Sequence, residues 1–90
     1  LYTRAVAREV AADGVRVNCV CPGDIMTPLT EAQLAASPDR NAALKAMASV
    51  YPLGRIGTAE EAAAVIAFLA SSAASYVTGA VWSVDGGLMA

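Results

Sequence analysis

Two short apolar segments, Val15–Val20 and Gly79–Val84, most constrain what this chain can fold into. Both read as strands covered on both faces, because each is rich in β-branched or large apolar residues with little polar alternation. Between them the pattern changes to helical spacing. Strands that alternate with helices imply α/β layering with a parallel sheet. Two parallel strands are not a fold by themselves: a two-stranded unit is marginal in water, and a parallel sheet needs helices on both faces. The pattern therefore predicts its own incompleteness.

The helical segments carry start and stop signals. Leu1–Ala12 reads as the end of a helix with Leu1, Ala5, Val6, Val10 and Ala12 on a broad apolar face and Arg4, Arg8 and Glu9 in water. Asp13-Gly14 stops it, with Gly14 placed for the left-handed C-terminal conformation. Cys21-Pro22-Gly23-Asp24 ends the first strand with turn chemistry. From Ile25 to Tyr51 the chain is irregular, with two helix starts: Thr30 with Gln33 as a capping box, and Ser37 with Pro38 as cap and first helical residue. Pro52–Gly57 is a connection. Thr58 with Glu61 caps a further helix whose buried face is Ala62, Val65, Ile66 and Leu69, and Glu60 and Glu61 suit its positive end. Ser71–Thr78 is a turn-rich loop. Asn18 is expected to tie neighbouring strands by hydrogen bonds rather than to contact ligand.

Composition narrows the function classes. The 90 residues are 57% apolar, with a mean hydropathy of +0.51, and only 16% charged, against roughly 25% in an ordinary soluble domain. So little polar surface predicts a piece of something larger, or a subunit that buries itself against partners. A net charge of −2 with no Lys/Arg run gives no nucleic-acid surface. The longest uninterrupted apolar run is the nine residues Ala62–Ala70, too short to span a membrane. No signal peptide is recognisable, and the missing initiator Met predicts a start inside a longer protein or after processing. With no His and only Cys19 and Cys21 as thiols, no metal site is expected. The two thiols read as reduced side chains of a cytoplasmic protein.

Four motifs in register then resemble the short-chain dehydrogenase/reductase family over nearly the whole chain. Arg16–Pro28 (Arg-Val-Asn-Cys-Val-Cys-Pro-Gly-Asp-Ile-Met-Thr-Pro) is similar to the family's Arg-Val-Asn … Pro-Gly-x-Ile-x-Thr-Pro segment. Pro52–Ala63 is similar to its Pro-x-Gly-Arg-x-Gly-x-Pro-Glu-Glu-x-Ala. Phe68–Ser71 with Tyr76–Gly79 resembles its Phe-Leu-x-Ser … Tyr-x-Thr-Gly, and Val84–Gly87 its terminal Val-Asp-Gly-Gly. The resemblance implies a Rossmann-type doubly wound parallel sheet. Residues 1–90 would be the C-terminal part of one NAD(P)-binding domain, with the last two strands, the last helix and a substrate lid at residues 29–51. The family's phosphate loop has no match among the glycines here. Nor does its catalytic Ser with Tyr-x-x-x-Lys: Tyr51 is followed by Arg55, but in a segment that matches a non-catalytic stretch. No catalytic residue is expected in this chain.

The resemblance also assigns the cofactor end of the site. Pro22 would fix the chain direction. Gly23 would let the backbone approach a flat ring with no Cβ in the way. The Ile25 amide and carbonyl would pair with the nicotinamide carboxamide of NAD or NADP, and the Thr27 hydroxyl would bond the carboxamide or the pyrophosphate. Met26, Leu29, Leu34, Leu44 and Met47 would line the lid, with Lys45 a solvated charge upon it. Alanines at 62, 63, 64, 67 and 70, with Trp82 on the last strand, suit a homodimer or homotetramer. The expected function is the C-terminal portion of an oxidoreductase that interconverts an alcohol and a ketone by hydride transfer. The missing N-terminal part of the same protein would supply the catalytic groups. The alternatives are a non-catalytic oligomerisation module and a free-standing small α/β binding domain.

Overall fold

The computed structural model describes residues 2–90; Leu1, expected on the apolar face of the first helix, lies outside the described residues. Helix α1 (Tyr2–Val10) runs into a single 3-10 turn at Ala11–Asp13. It stops at Gly14, whose φ of 74° is the left-handed conformation expected there. Strand β1 (Cys19–Pro22) pairs in parallel with β4 (Val81–Val84), Cys19 facing Val81 and Pro22 facing Val84. Both strands are shorter than the apolar runs that announce them. Before β1, side chains join the backbone bond from Gly79 N–H to the Val17 carbonyl (2.7 Å). Val17 N–H donates to Thr78 Oγ1 (3.1 Å), Asn18 Nδ2 to the Val77 carbonyl (3.0 Å), and Ala80 N–H to Asn18 Oδ1 (3.0 Å). Asn18 thus ties the two chain segments together, as its sequence position suggests.

A second parallel pair, β2 (Ile25–Met26) with β3 (Gly57–Thr58), lies where an irregular stretch and a plain connection are expected. Its two-residue strands are too short to leave a period in the sequence. Between them lie α2 (Pro28–Ala35) and α3 (Arg40–Ala48). Their caps are not the expected ones. Thr27 caps α2, its Oγ1 accepting from Thr30 N–H, because Pro28 suits the first helical position. Asp39 caps α3 by accepting from Ala42 N–H, and Pro38 falls before the cap. The capping box of α4 (Ala59–Ala70) is the expected one: Thr58 Oγ1 accepts from Glu61 N–H, and the Glu61 carboxylate accepts from Thr58 N–H.

Arg16 closes the other end of α4. Its guanidinium donates to the carbonyls of Leu69 (2.7 Å) and Ser71 (3.1 Å), placing a cation at the negative end of the helix. Leu69 is buried on this helix, but Ile66, expected on the same buried face, is 54% exposed. Ile66 borders an open cleft with Val20 and Asn18. The core consists of Ala7, Leu34, Tyr51, Ile56, Leu69 and Ala74. The radius of gyration is 16.3 Å. A compact domain of this length would have about 12 Å, so the chain is drawn out along its 53 Å axis.

Candidate functional site

Parallel α/β sheets bind ligands at the carboxyl ends of their strands. Here that edge is built from the turns after β1 and β4. Pro22 is the last residue of β1, and Gly23 N–H adds one further bond to the Val84 carbonyl (2.9 Å). After β4, Asp85 steadies the Gly86-Gly87 turn by accepting from the Gly87 and Met89 amides. A cleft of about 270 Å³ lies between these turns and the β2–β3 pair, lined in part by Asp24, Ile25, Tyr51, Asp85 and Gly86.

The polar groups where β2 leads into α2 form one chain of hydrogen bonds. Thr30 Oγ1 donates to the Ile25 carbonyl (2.8 Å). Its proton is then committed, so the 3.2 Å contact between the two hydroxyls has Thr27 as donor to Thr30. Thr27 also accepts from Thr30 N–H and keeps one lone pair free of these bonds. Gly57 N–H donates to the Asp24 carbonyl (2.9 Å). In a parallel ladder alternate residues face the partner, which turns the Ile25 amide and carbonyl to the edge away from β3.

Gly23 is explained differently from its sequence reading. A Cβ built there would stand 2.9 Å from Tyr51 Cε1 and 3.2 Å from Asp85 Cα. The flat ring that needs a glycine at this point is the chain's own Tyr51. That tyrosine is buried, and its hydroxyl donates to Asp24 Oδ2 (2.6 Å) and accepts from Asp24 N–H (2.8 Å). The carboxylate partner pushes the Tyr51 pKa up, away from what a tyrosine acid/base requires. Arg55 turns elsewhere, to a two-pronged pair with Glu61 (2.8 Å and 2.8 Å). Tyr51 and Arg55 are therefore separately engaged. The arginine, then the Thr58 amide, hold the Glu61 carboxyl down at about 2.

The lid residues separate. Met26 and Leu44 line an open groove of about 620 Å³ with Lys45 and Ile56. Leu34 is 2% exposed and belongs to the core. Leu29 is 69% exposed and, like Met47, does not line the groove. Among the described residues no group of three acidic, Cys or His side chains could hold a metal. Cys19 and Cys21 are free, their sulfurs 3.8 Å apart on one side of β1. The Tyr51–Asp24 pairing had no signal in the sequence, since its partners are 27 residues apart.

A parallel α/β sheet whose helices alternate with its strands is the arrangement of the Rossmann type. Comparison with known proteins agrees. The family model described as "Enoyl-(Acyl carrier protein) reductase" matches residues 1–89. The chain is 48% identical over 87 residues to the 3-oxoacyl-[acyl-carrier-protein] reductase FabG of Thermotoga maritima, covering 97% of this chain and 33% of that protein. With "Dehydrogenase/reductase SDR family member 6" of Aquarana catesbeiana it shares 42% over 85 residues, 94% of this chain and 35% of the relative. Among solved structures, a short chain dehydrogenase family protein from Francisella tularensis superposes with a TM-score of 0.90 at 30% identity, over 98% of this chain and 38% of that one. An NADPH dependent reductase involved in bacilysin biosynthesis superposes with a TM-score of 0.87 at 38% identity, over 98% and 35%. The chain belongs to the short-chain dehydrogenase/reductase family of oxidoreductases. It spans about a third of the length of the curated relatives it matches.

Proposed function

We propose that this chain forms the nicotinamide end and the substrate lid (residues 29–51) of an NAD(P)-dependent oxidoreductase that interconverts an alcohol and a ketone. The observation that carries the reading is the hydrogen-bond chain from Thr27 through Thr30 to the Ile25 carbonyl. It fixes the polarity of the edge. The Ile25 amide would donate to the carboxamide oxygen, and the Ile25 carbonyl, with a second lone pair, would accept from the carboxamide nitrogen. Thr27, its proton committed to Thr30, would act there as an acceptor. Bound there, the nicotinamide would supply or take the hydride; this chain's part is to hold the ring so that one face meets substrate. Pro22 and Gly23 shape the turn, Gly23 by making room for Tyr51. Met26 and Leu44 present apolar surface to a substrate, and Leu29 and Met47 lie farther out on the same segment. The general acid/base would come from residues outside this chain.

The test is Thr27→Val in the full-length protein, with NADPH and NADH binding followed by fluorescence. Losing one acceptor is expected to weaken binding by about tenfold, while Thr27→Ser stays near wild type. Unchanged affinity and turnover in the valine variant would remove Thr27 from the site.

One observation favours a second reading, an assembly module. Phe68 and Trp82 stack at 5.8 Å between ring centroids yet are 40% and 39% exposed, beside Val81 at 36%. A flat aromatic face of this kind suits a second copy of the chain, in a homodimer or homotetramer. Self-association without binding of either nicotinamide dinucleotide would favour this reading over the first.

A further inference from the structure

The roles assigned so far leave the Tyr51 hydroxyl unused. Tyr51 is 7% exposed and is the last residue of the 29–51 segment. Its ring occupies the Cβ position denied to Gly23 and lies 3.6 Å from where a Cβ on Gly86 would stand. Leu53 N–H, two residues on, donates to the Gly86 carbonyl (3.1 Å). One side chain thus joins the end of the lid segment, the turn after β1 and the turn after β4. A phenylalanine would pack as well. What the hydroxyl adds is a closed pair of bonds to a single residue, giving its proton to the Asp24 carboxylate and taking one from the Asp24 amide. Both its donor and an acceptor site are spent on Asp24, the residue immediately before Ile25.

We propose that Tyr51 is a positioning residue: it latches the end of the lid to Asp24 and thereby sets the direction of the Ile25 amide toward the nicotinamide carboxamide. The inference rests on the nicotinamide reading above and adds to it a coupling between lid and cofactor. Asp24 N–H points to Tyr51 and Asp24 C=O to Gly57 N–H, so both peptide groups of Asp24 are held, and the peptide that carries the Ile25 amide cannot rotate freely. Without the hydroxyl, only the bond to Gly57 remains. The raised pKa of Tyr51 keeps the latch protonated and whole.

The experiment measures NADPH and NADH dissociation constants by fluorescence titration, with melting temperatures, for full-length wild type, Tyr51→Phe, Asp24→Ala, Asp24→Asn and the Tyr51→Phe/Asp24→Ala double variant. Tyr51→Phe and Asp24→Ala are each expected to weaken binding about tenfold, the scale of one lost hydrogen bond to a charged group. The double variant should bind no worse than either single one, since the two act as a unit. Asp24→Asn keeps an acceptor for the hydroxyl and should stay within about twofold of wild type. If Tyr51→Phe lowers only the melting temperature, or binds like wild type while Thr27→Val does not, the latch is merely structural and the inference falls while the site stands. If wild type binds neither dinucleotide, both fall.

Discussion

The β1–β4 sheet with α4 and the loop region from Asp24 to Thr58 solve the problem of stability in opposite ways. The sheet carries the stronger strand sequences, yet several of its large side chains stay open: Ile66 is 54% exposed, Phe68 40% and Trp82 39%. The loop region has only two-residue strands and short helices, yet it supplies three of the six core residues, Leu34, Tyr51 and Ile56. It is also closed on itself by two polar latches, Tyr51 to Asp24 and Thr30 to Ile25, while Arg55 ties it to Glu61 of α4. The region that shapes the site therefore carries its own order. The sheet, covered by one helix where a parallel sheet needs two layers, is the surface that looks for more protein.

The sharpest way to break this comparison is to hollow out the self-contained side. Leu34→Ala removes the most deeply buried large side chain, at 2% exposure, from a site with no way to collapse without moving α2. It is expected to cost about 3 kcal/mol in urea unfolding. Ile66→Ala on the half-open face of α4 is the contrast and is expected to cost about 1 kcal/mol or less. Equal costs would show that α4 is buried by a further element, and the difference between the two regions would vanish.

What could be read in advance follows the same division by range. Signals confined to a few neighbours were legible: Gly14 ending α1, the Thr58–Glu61 capping box, and Asn18 tying the strands. The four family motifs identified the fold class. Where two cap residues competed, the nearer proline decided, and it was misread. Pro28 selects Thr27 over Thr30, and Pro38, sitting outside the helix, leaves the cap to Asp39. The β2–β3 pair was invisible because two residues cannot display a period of two. The latch was invisible because nothing local links Tyr51 to Asp24. Gly23 was rightly marked as a close approach, but the approaching ring belonged to the chain itself.

A smaller effect separates the regions by pH. The Glu61 carboxyl, ordinarily near 4.5, is held at about 2 by Arg55 and by the Thr58 amide. Because its folded value lies below its unfolded one, its contribution to stability is complete above about 4.5 and is lost as the pH falls toward 2. Melting temperature against pH should therefore drop along this limb in wild type. The drop should be shallower in Glu61→Gln, which is insensitive to proton uptake at that position. A limb of the same steepness in both proteins would mean that other carboxylates govern acid unfolding and that the cap of α4 adds no pH sensitivity to the site region.

The smallest effect expected lies on the lid itself, between α2 and α3. Arg40 grips Glu31 with two bonds, Nε to Oε1 at 2.8 Å and Nη2 to Oε2 at 2.9 Å. The geometry is that of a strong pair, but the side chains are 42% and 49% exposed. Water competes for both charges, and salt screens what remains. Arg40→Ala is therefore expected to cost no more than about 0.5 kcal/mol, and that cost should shrink when the salt concentration is raised. Set beside Leu34→Ala, a few residues away on the same pair of helices, the result separates two sources of lid order. If the ion pair matches the buried leucine in cost, the helices are held by their surface. If it costs almost nothing, α2 and α3 are held from beneath, where Leu34 sits in the core.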